Sequence, residues 1–217
     1  MNAGELLSIF RSEMADTVVP YLWSDEEFYV YLNDAQVMFC RKTDGIADAT
    51  TAEITQLPIV AGTEWYDVHT KIKKLRIAVH ADNGQPVEIM NPETAQSKGV
   101  RFRGTTGRVQ VIVWGLEEGK VRVWPTPVED EVIELAVFRL PLTAITDEDS
   151  TLELPEQHHL ALLNWVKARA YLKQDAETID KTKANDFERR FVAYCDESTG
   201  EQSRARRSTG ATSYGGL

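Results

Sequence analysis

Residues 152–197 read LELPEQHHLALLNWVKARAYLKQDAETIDKTKANDFERRFVAYCDE, and two helical periods separated by one break run through them. Proline lacks an amide donor yet suits the first helical turn. Leu154-Pro155 therefore closes an extended segment, and Glu156 sets negative charge at the positive end of the helix that follows. Ala161, Leu162, Trp165, Ala168 and Leu172 recur at three- and four-residue steps as one apolar stripe, from which Lys167 and Lys173 are excluded. Gln174-Asp175 breaks the repeat and caps a second helix, in which Ile179, Phe187, Phe191 and Tyr194 recur between charged residues. Two amphipathic helices so closely joined pack antiparallel as an αα-hairpin, and their stripes need a partner elsewhere in the chain.

That partner is expected at the other end. Residues 3–15 place Leu6, Ile9, Phe10 and Met14 on one helical face. Ser24-Asp25-Glu26-Glu27 then forms a Ser-x-x-Glu capping box, in which each side chain bonds the other residue's backbone donor. The helix it opens has Phe28, Tyr31, Leu32, Ala35 and Phe39 as its stripe and Arg41-Lys42 in its last turn, where cations complement the helix dipole. From Thr50 the period changes to two, through Ile54, Leu57 and Ile59, then Trp65 to Val68, then Leu75, Ile77 and Val79. Ala61-Gly62-Thr63 and Asp82-Asn83-Gly84 are turn chemistry, and residues 99–107 read as a loop. Residues 108–114 and 120–124 alternate around a Glu-Glu-Gly turn as a β-hairpin, with a further strand over 132–138.

The expected fold is therefore α+β. It is a four-helix bundle with a small antiparallel β-domain inserted between helices 2 and 3, plus an extended C-terminal arm. The domains are 1–49, the N-terminal helical pair; 50–141, the β-domain; 142–197, the helical hairpin; and 198–217, the arm. Residues 198–217 are rich in Gly, Ser and Thr and hold almost no large apolar side chain, so by themselves they bury too little to fold. The formal charge is −10, from 34 acids against 24 bases. Arg204, Arg206 and Arg207 against Glu201 make the arm +2 and leave −12 on the rest. Such a body disfavours general binding to nucleic acid, which needs clustered Lys and Arg.

Several stretches resemble the head-to-tail adaptor proteins of tailed bacteriophages, also called connector or head-completion proteins. They are Leu32-Asn33-Asp34-Ala35-Gln36 after Trp23 and its capping residue; Val60-Ala61-Gly62-Thr63 with Tyr66-Asp67-Val68; and Val121 with Val123-Trp124-Pro125-Thr126-Pro127. The last block comprises Leu154-Pro155-Glu156, Leu163-Asn164-Trp165, Ala168-Arg169-Ala170-Tyr171-Leu172 and Asp175-Ala176-Glu177, so the resemblance spans residues 21–180. It implies a structural virion protein at the head-tail junction, made in the host bacterial cytoplasm. Such a protein forms a homo-oligomeric ring, a dodecamer, beneath the portal protein. The ring joins the DNA-filled capsid to the tail, continues the DNA channel and meets a tail or nozzle protein below. DNA passes without specific binding, and an acidic channel wall suits that passage because it repels phosphates. The resemblance also implies that the arm grips the portal. Arg204, Arg206 and Arg207 can pair bidentately with carboxylates there, and Tyr214 and Leu217 offer apolar anchors.

No cofactor, metal or catalytic site is expected. Neither GxxxxGK[ST] nor GxGxxG occurs, no GxSxG elbow is present, and His69, His80, His158 and His159 lack a motif tying them to a Ser or Cys. Glu156-Gln157-His158-His159 contains one Glu-x-x-His, where a di-iron bundle needs two; it reads as a solvated helix start, with His158 or His159 partly packed beneath the β-domain. Glu129-Asp130-Glu131 and Asp147-Glu148-Asp149 sit in polar turns that keep carboxylates ionised, unlike a general acid. Those clusters carry the alternative of a carboxylate-dependent cell-wall hydrolase; another neck or tail-completion protein is the second alternative. Cys40 and Cys195 read as buried free thiols. Trp23, Trp65, Trp114, Trp124 and Trp165 read as core anchors, with Trp65 and Trp114 also suited to an interface. Residues 1–10 carry Glu5 and no sustained apolar run, unlike a secretory signal. No stretch approaches the roughly 20 residues of a membrane span.

Overall fold

The computed structural model of the chain describes residues 1–102, 104–174 and 178–208, with 205–208 by backbone alone. In order it runs α1 (Ala3–Glu13), α2 (Asp25–Lys42), β1 (Ile46–Asp48), α3 (Ala52–Thr55), β2 (Gln56–Ile59), β3 (Trp65–Asp67), β4 (Ile72–His80) and β5 (Pro86–Met90). There follow α4 (Pro92–Ser97), β6 (Thr106–Gly107), β7 (Val111–Trp114), β8 (Lys120–Trp124), β9 (Thr126–Pro127), β10 (Glu131–Arg139), a 3₁₀ turn (Glu156–His158), α5 (His159–Ala170) and α6 (Lys181–Ser208). The chain divides into two compact units, Met1–Gly45 with Pro141–Leu217, and Ile46–Leu140.

In the helical unit, α2 opens with the capping box that its sequence encodes, Ser24 and Glu27 each accepting from the other's amide. A second capping box, Asn2 with Glu5, opens α1. Behind α1 the buried Asp16 carboxylate accepts from the Leu22 amide at 2.9 Å and from Arg11 at 3.1 Å, turning the chain back. Phe10 then meets Trp23 and Phe28, with ring centroids 5.7 and 5.2 Å apart.

The helical unit is not the four-helix bundle expected from one stripe per helix. The helices are unequal, at 11, 18, 12 and 28 residues. The short α5 lies in the middle and packs against α1, α2 and α6. Leu162, Leu163, Trp165, Val166, Ala168 and Ala170 bury it on several sides, so its amphipathicity is lost. Lys167, read as solvent-facing, is buried too; its stem covers apolar surface while its ammonium reaches Glu13 and lies 5.2 Å from the Phe187 ring centre.

The C-terminal arm expected from Ser198 is also corrected. α6 runs on through Ser208, and Ser198 continues its buried stripe of Ala184, Phe191 and Cys195. The run Glu-Gln-Ser-Arg-Ala-Arg-Arg after Gly200 consists largely of good helix formers with cations at the C-terminal end, where the dipole favours them. The cap of α6 is Asp180, which accepts from the amides of Thr182 and Lys183 at 3.0 Å each. Asp175 lies outside the described residues.

The second unit is larger than a small antiparallel β-domain. Its main sheet has eight strands in the order β1-β10-β4-β5-β7-β8-β3, with β2 also paired to β10. The β7–β8 hairpin and the Asp82-Asn83-Gly84 turn between β4 and β5 form as their sequences predict, Gly84 taking φ 69°. β5 and β7, however, are parallel. The connection between them contains α4, capped by the Asn91 side chain and started by Pro92, and residues 106–107 pair with β9 rather than staying loop. β4 also breaks its expected alternation. It buries Ile72, Leu75 and Ala78 at a period of three, and Ile77 is 53% exposed. Against β10, Leu75 and Ile77 face consecutive residues, as do Ile72 and Lys74, so Arg76 and Lys73 are bulged out of register.

Cys40 and Cys195 are both buried free thiols. Burial pushes the Cys195 thiol up to about 11, with Lys42 opposing the shift and Asp196 adding to it. Iodoacetamide should therefore leave both cysteines unmodified in the native protein and alkylate both in denaturant, as counted by mass spectrometry. Rapid labelling of the native chain would contradict this burial.

Candidate functional site

The titratable clusters come first. Among the described residues no group of three or more His, Cys, Asp or Glu side chains could hold a metal ion. Nor is any described helix long and apolar enough to cross a membrane. His158 and His159, read as a solvated helix start with one of the two partly packed, are both buried. The Tyr194 hydroxyl donates to the Gln157 carbonyl at 3.1 Å and so accepts from His158 Nδ1 at 2.9 Å. His159 Nε2 donates to the Leu154 carbonyl at 2.8 Å. Burial pushes the His158 imidazole down, and His159 adds to this. Both rings pin the start of α5, and Glu156 pairs with the N-terminal amine at 3.0 Å.

Glu131, at the head of β10, is equally occupied. It accepts from Arg108 Nε at 3.2 Å and from the Val109 amide at 3.3 Å and lies 2.9 Å from His80 Nδ1, while His80 Nε2 lies 2.9 Å from the Val109 carbonyl. Asp130 accepts from the Ala61 amide at 2.8 Å. Asp82, Arg108, Glu129, Asp130 and Glu131 line a cleft of 480 Å³. Asp130 and Glu131 tie the start of β10 to neighbouring loops, and Ala81, Val128 and Val132 also line the cleft.

The third acidic stretch lies in the helical unit. Asp147 accepts from Ser150 and Thr146 hydroxyls, which hold its carboxyl below the usual range. The loop closes on α1: the amides of Ala3 and Gly4 donate to the carbonyls of Ser150 and Glu148 at 3.0 and 2.9 Å. A Cβ at Gly4 would lie 3.0 Å from the Glu148 Cβ, so a larger residue would press the loop away from α1. Tyr29 sits between this loop and the start of α2. Burial pushes its phenol up, and the carboxylates of Asp25, Glu148, Asp147 and Glu26 push it further. These residues make one acidic face, beside which Val30 is 64% exposed.

The end of α6 is the opposite in charge. Tyr171 stacks on Phe187, Trp165 meets Phe191 and His158 meets Tyr194, with ring centroids 6.0, 5.2 and 5.9 Å apart, so α6 runs antiparallel along the whole of α5. By Tyr194 the length of α5 is used up. α6 continues past it, still buried at Cys195 and Ser198, and projects only at its end. Arg204 lies exposed there, and the backbone of Arg206 and Arg207 continues it as helix. Tyr214 and Leu217 lie outside the described residues. Composition alone identified these arginines; that all three lie on α6 is what the structure adds.

Compared with known proteins, the chain matches one family model, described as SU10 adaptor protein, over residues 1–214. No curated protein sequence matches it.

Proposed function

The chain belongs to the SU10 adaptor protein family, and on that premise we propose that this phage structural adaptor forms a ring beneath the portal, joining the DNA-filled head to the tail. The ring is the dodecamer that the head-to-tail resemblance implies. It continues the DNA channel, and a tail or nozzle protein docks below it. A negatively charged body keeps exiting DNA from adhering to the wall. The observation that carries the portal contact is the projecting end of α6. It bears Arg204, Arg206 and Arg207 on an otherwise acidic protein, and so concentrates positive charge at one place. Guanidinium groups held on a helix can pair bidentately with carboxylates of a partner, with Tyr214 and Leu217 as anchors beyond. Within the acidic clusters that a hydrolase would use, Asp130, Glu131 and Asp147 hold turns and loop contacts.

Removing residues 201–217 should leave the melting temperature nearly unchanged and abolish or severely weaken capture of the chain by portal protein in a pull-down. Replacing Arg204, Arg206 and Arg207 with alanine should weaken capture partially and reduce its dependence on salt, since exposed ion pairs are the ones that salt screens. Undiminished capture of the truncated chain would move the portal contact elsewhere on the molecule.

A further inference from the structure

The sheet carries a surface that the portal contact does not use. In the order Lys71-Ile72-Lys73-Lys74-Leu75-Arg76, four cations fall within six residues of a chain with net charge −10. Regular alternation would turn half of such residues inward. The two bulges keep Ile72, Leu75 and Ala78 inside and leave Lys73, Lys74, Arg76 and Ile77 exposed together. Arg76 is fixed on this face by the Phe138 ring, 4.7 Å from its guanidinium carbon. Among the described strands, the half of β4 before Ala78 pairs only with β10, because β5 joins at Ala78 and Val79. The result is a basic strip with an exposed isoleucine at one end.

We propose that this strip of β4 docks a second copy of this chain, meeting the acidic face formed there by Asp25, Glu26, Asp147 and Glu148. The proposal rests on the ring reading above and names the surfaces that build the ring. The argument is charge complementarity. The strip gathers cations beside the exposed Ile77, and the acidic face gathers Glu26, Asp147 and Glu148 beside the exposed Val30, with Asp25 paired to Arg11 at its margin. The two surfaces are different patches, so copies can join head to tail through them, and contacts of that kind close into rings. Lysines and bulges also guard exposed strand edges against aggregation, and a guard needs only charge of either sign. Reversing the charges, rather than removing them, preserves the guard and destroys the complementarity.

Sedimentation velocity of the full-length chain at low ionic strength should therefore show association that grows with concentration. It should disappear near 1 M salt, where the screening length is about 3 Å. A chain with Lys74→Glu and Arg76→Glu should sediment as a monomer, and so should one with Glu26→Lys and Glu148→Lys. Their equimolar mixture should associate again, because every reversed surface then finds its complement. Carbodiimide coupling between isotope-labelled and unlabelled wild-type chains should join Lys74 to Glu26 or Glu148, a readout independent of how the variants fold. A wild type that stays monomeric, association unchanged by both reversals, or intermolecular links confined to other residues would each overturn the interface. Portal capture is measured separately: a chain still captured by portal while these results fail retains the adaptor reading and loses only this interface.

Discussion

Replacing Trp165 with alanine is expected to lower the unfolding free energy of the helical unit by about 3–5 kcal/mol, the cost of emptying a large buried aromatic site. Trp165 lies on α5, which three helices surround, so no neighbour can relax into the space without leaving its own contacts. Its ring is tilted against Phe191, and its indole N–H donates to an Asp34 carboxylate oxygen at 2.7 Å. Trp165→Phe separates the two contributions, keeping most of the apolar contact while giving up a hydrogen bond to a charged group, about 1.5–3 kcal/mol. His159→Ala should cost less than Trp165→Ala, because the imidazole is smaller, yet not nothing, because the ring is buried and bonded to Leu154. Denaturant melts decide the order. If His159→Ala proved the more destabilising, α5 would not be the centre of this unit.

The second large effect belongs to Asp48 in the sheet unit. Burial alone would raise its carboxyl. The Thr50 amide, the Arg139 guanidinium at 2.6 Å and the Thr51 amide and hydroxyl more than offset this, and together hold it well below the usual carboxylate range. Asp48→Ala removes the acceptor for all of these donors and should cost about 3–5 kcal/mol, as for breaking other buried ion pairs. Because the folded-state value is depressed, the stabilisation is complete above the unfolded value of about 3.9 and is lost as pH falls through the folded one. Wild type should thus lose stability steeply in acid, whereas the Asp48→Ala chain should show a shallower loss. Hydrogen exchange should place the early opening in β1 and β10. Equal acid slopes in the two proteins would show that Asp48 does not carry this dependence.

By itself the sequence determined what is decided within three or four residues. The capping box at Ser24 and Glu27, the Asn-Gly turn after β4, the β7–β8 hairpin and the burial of Phe28, Leu32, Ala35 and Phe39 all follow from side chains acting on their own or adjacent backbone. The resemblance to head-to-tail adaptors was legible in the same way, through short blocks in a set order. Tertiary structure decided what depends on distant partners. Lys167 looks like a surface residue, and the His158-His159 pair like a largely solvated helix start, until α5 is enclosed by helices from both ends of the chain. The parallel pairing of β5 with β7 requires the crossover through α4, and the exposure of Lys74, Arg76 and Ile77 requires the register that β10 imposes on β4. Likewise α6 runs past the buried Ser198, although residues 198–217 have the Gly, Ser and Thr content of a tail. Caps and turns have local energies and leave local patterns. Burial and strand register are properties of contacts between residues far apart in sequence, and periodicity along one segment cannot report what packs against its other faces.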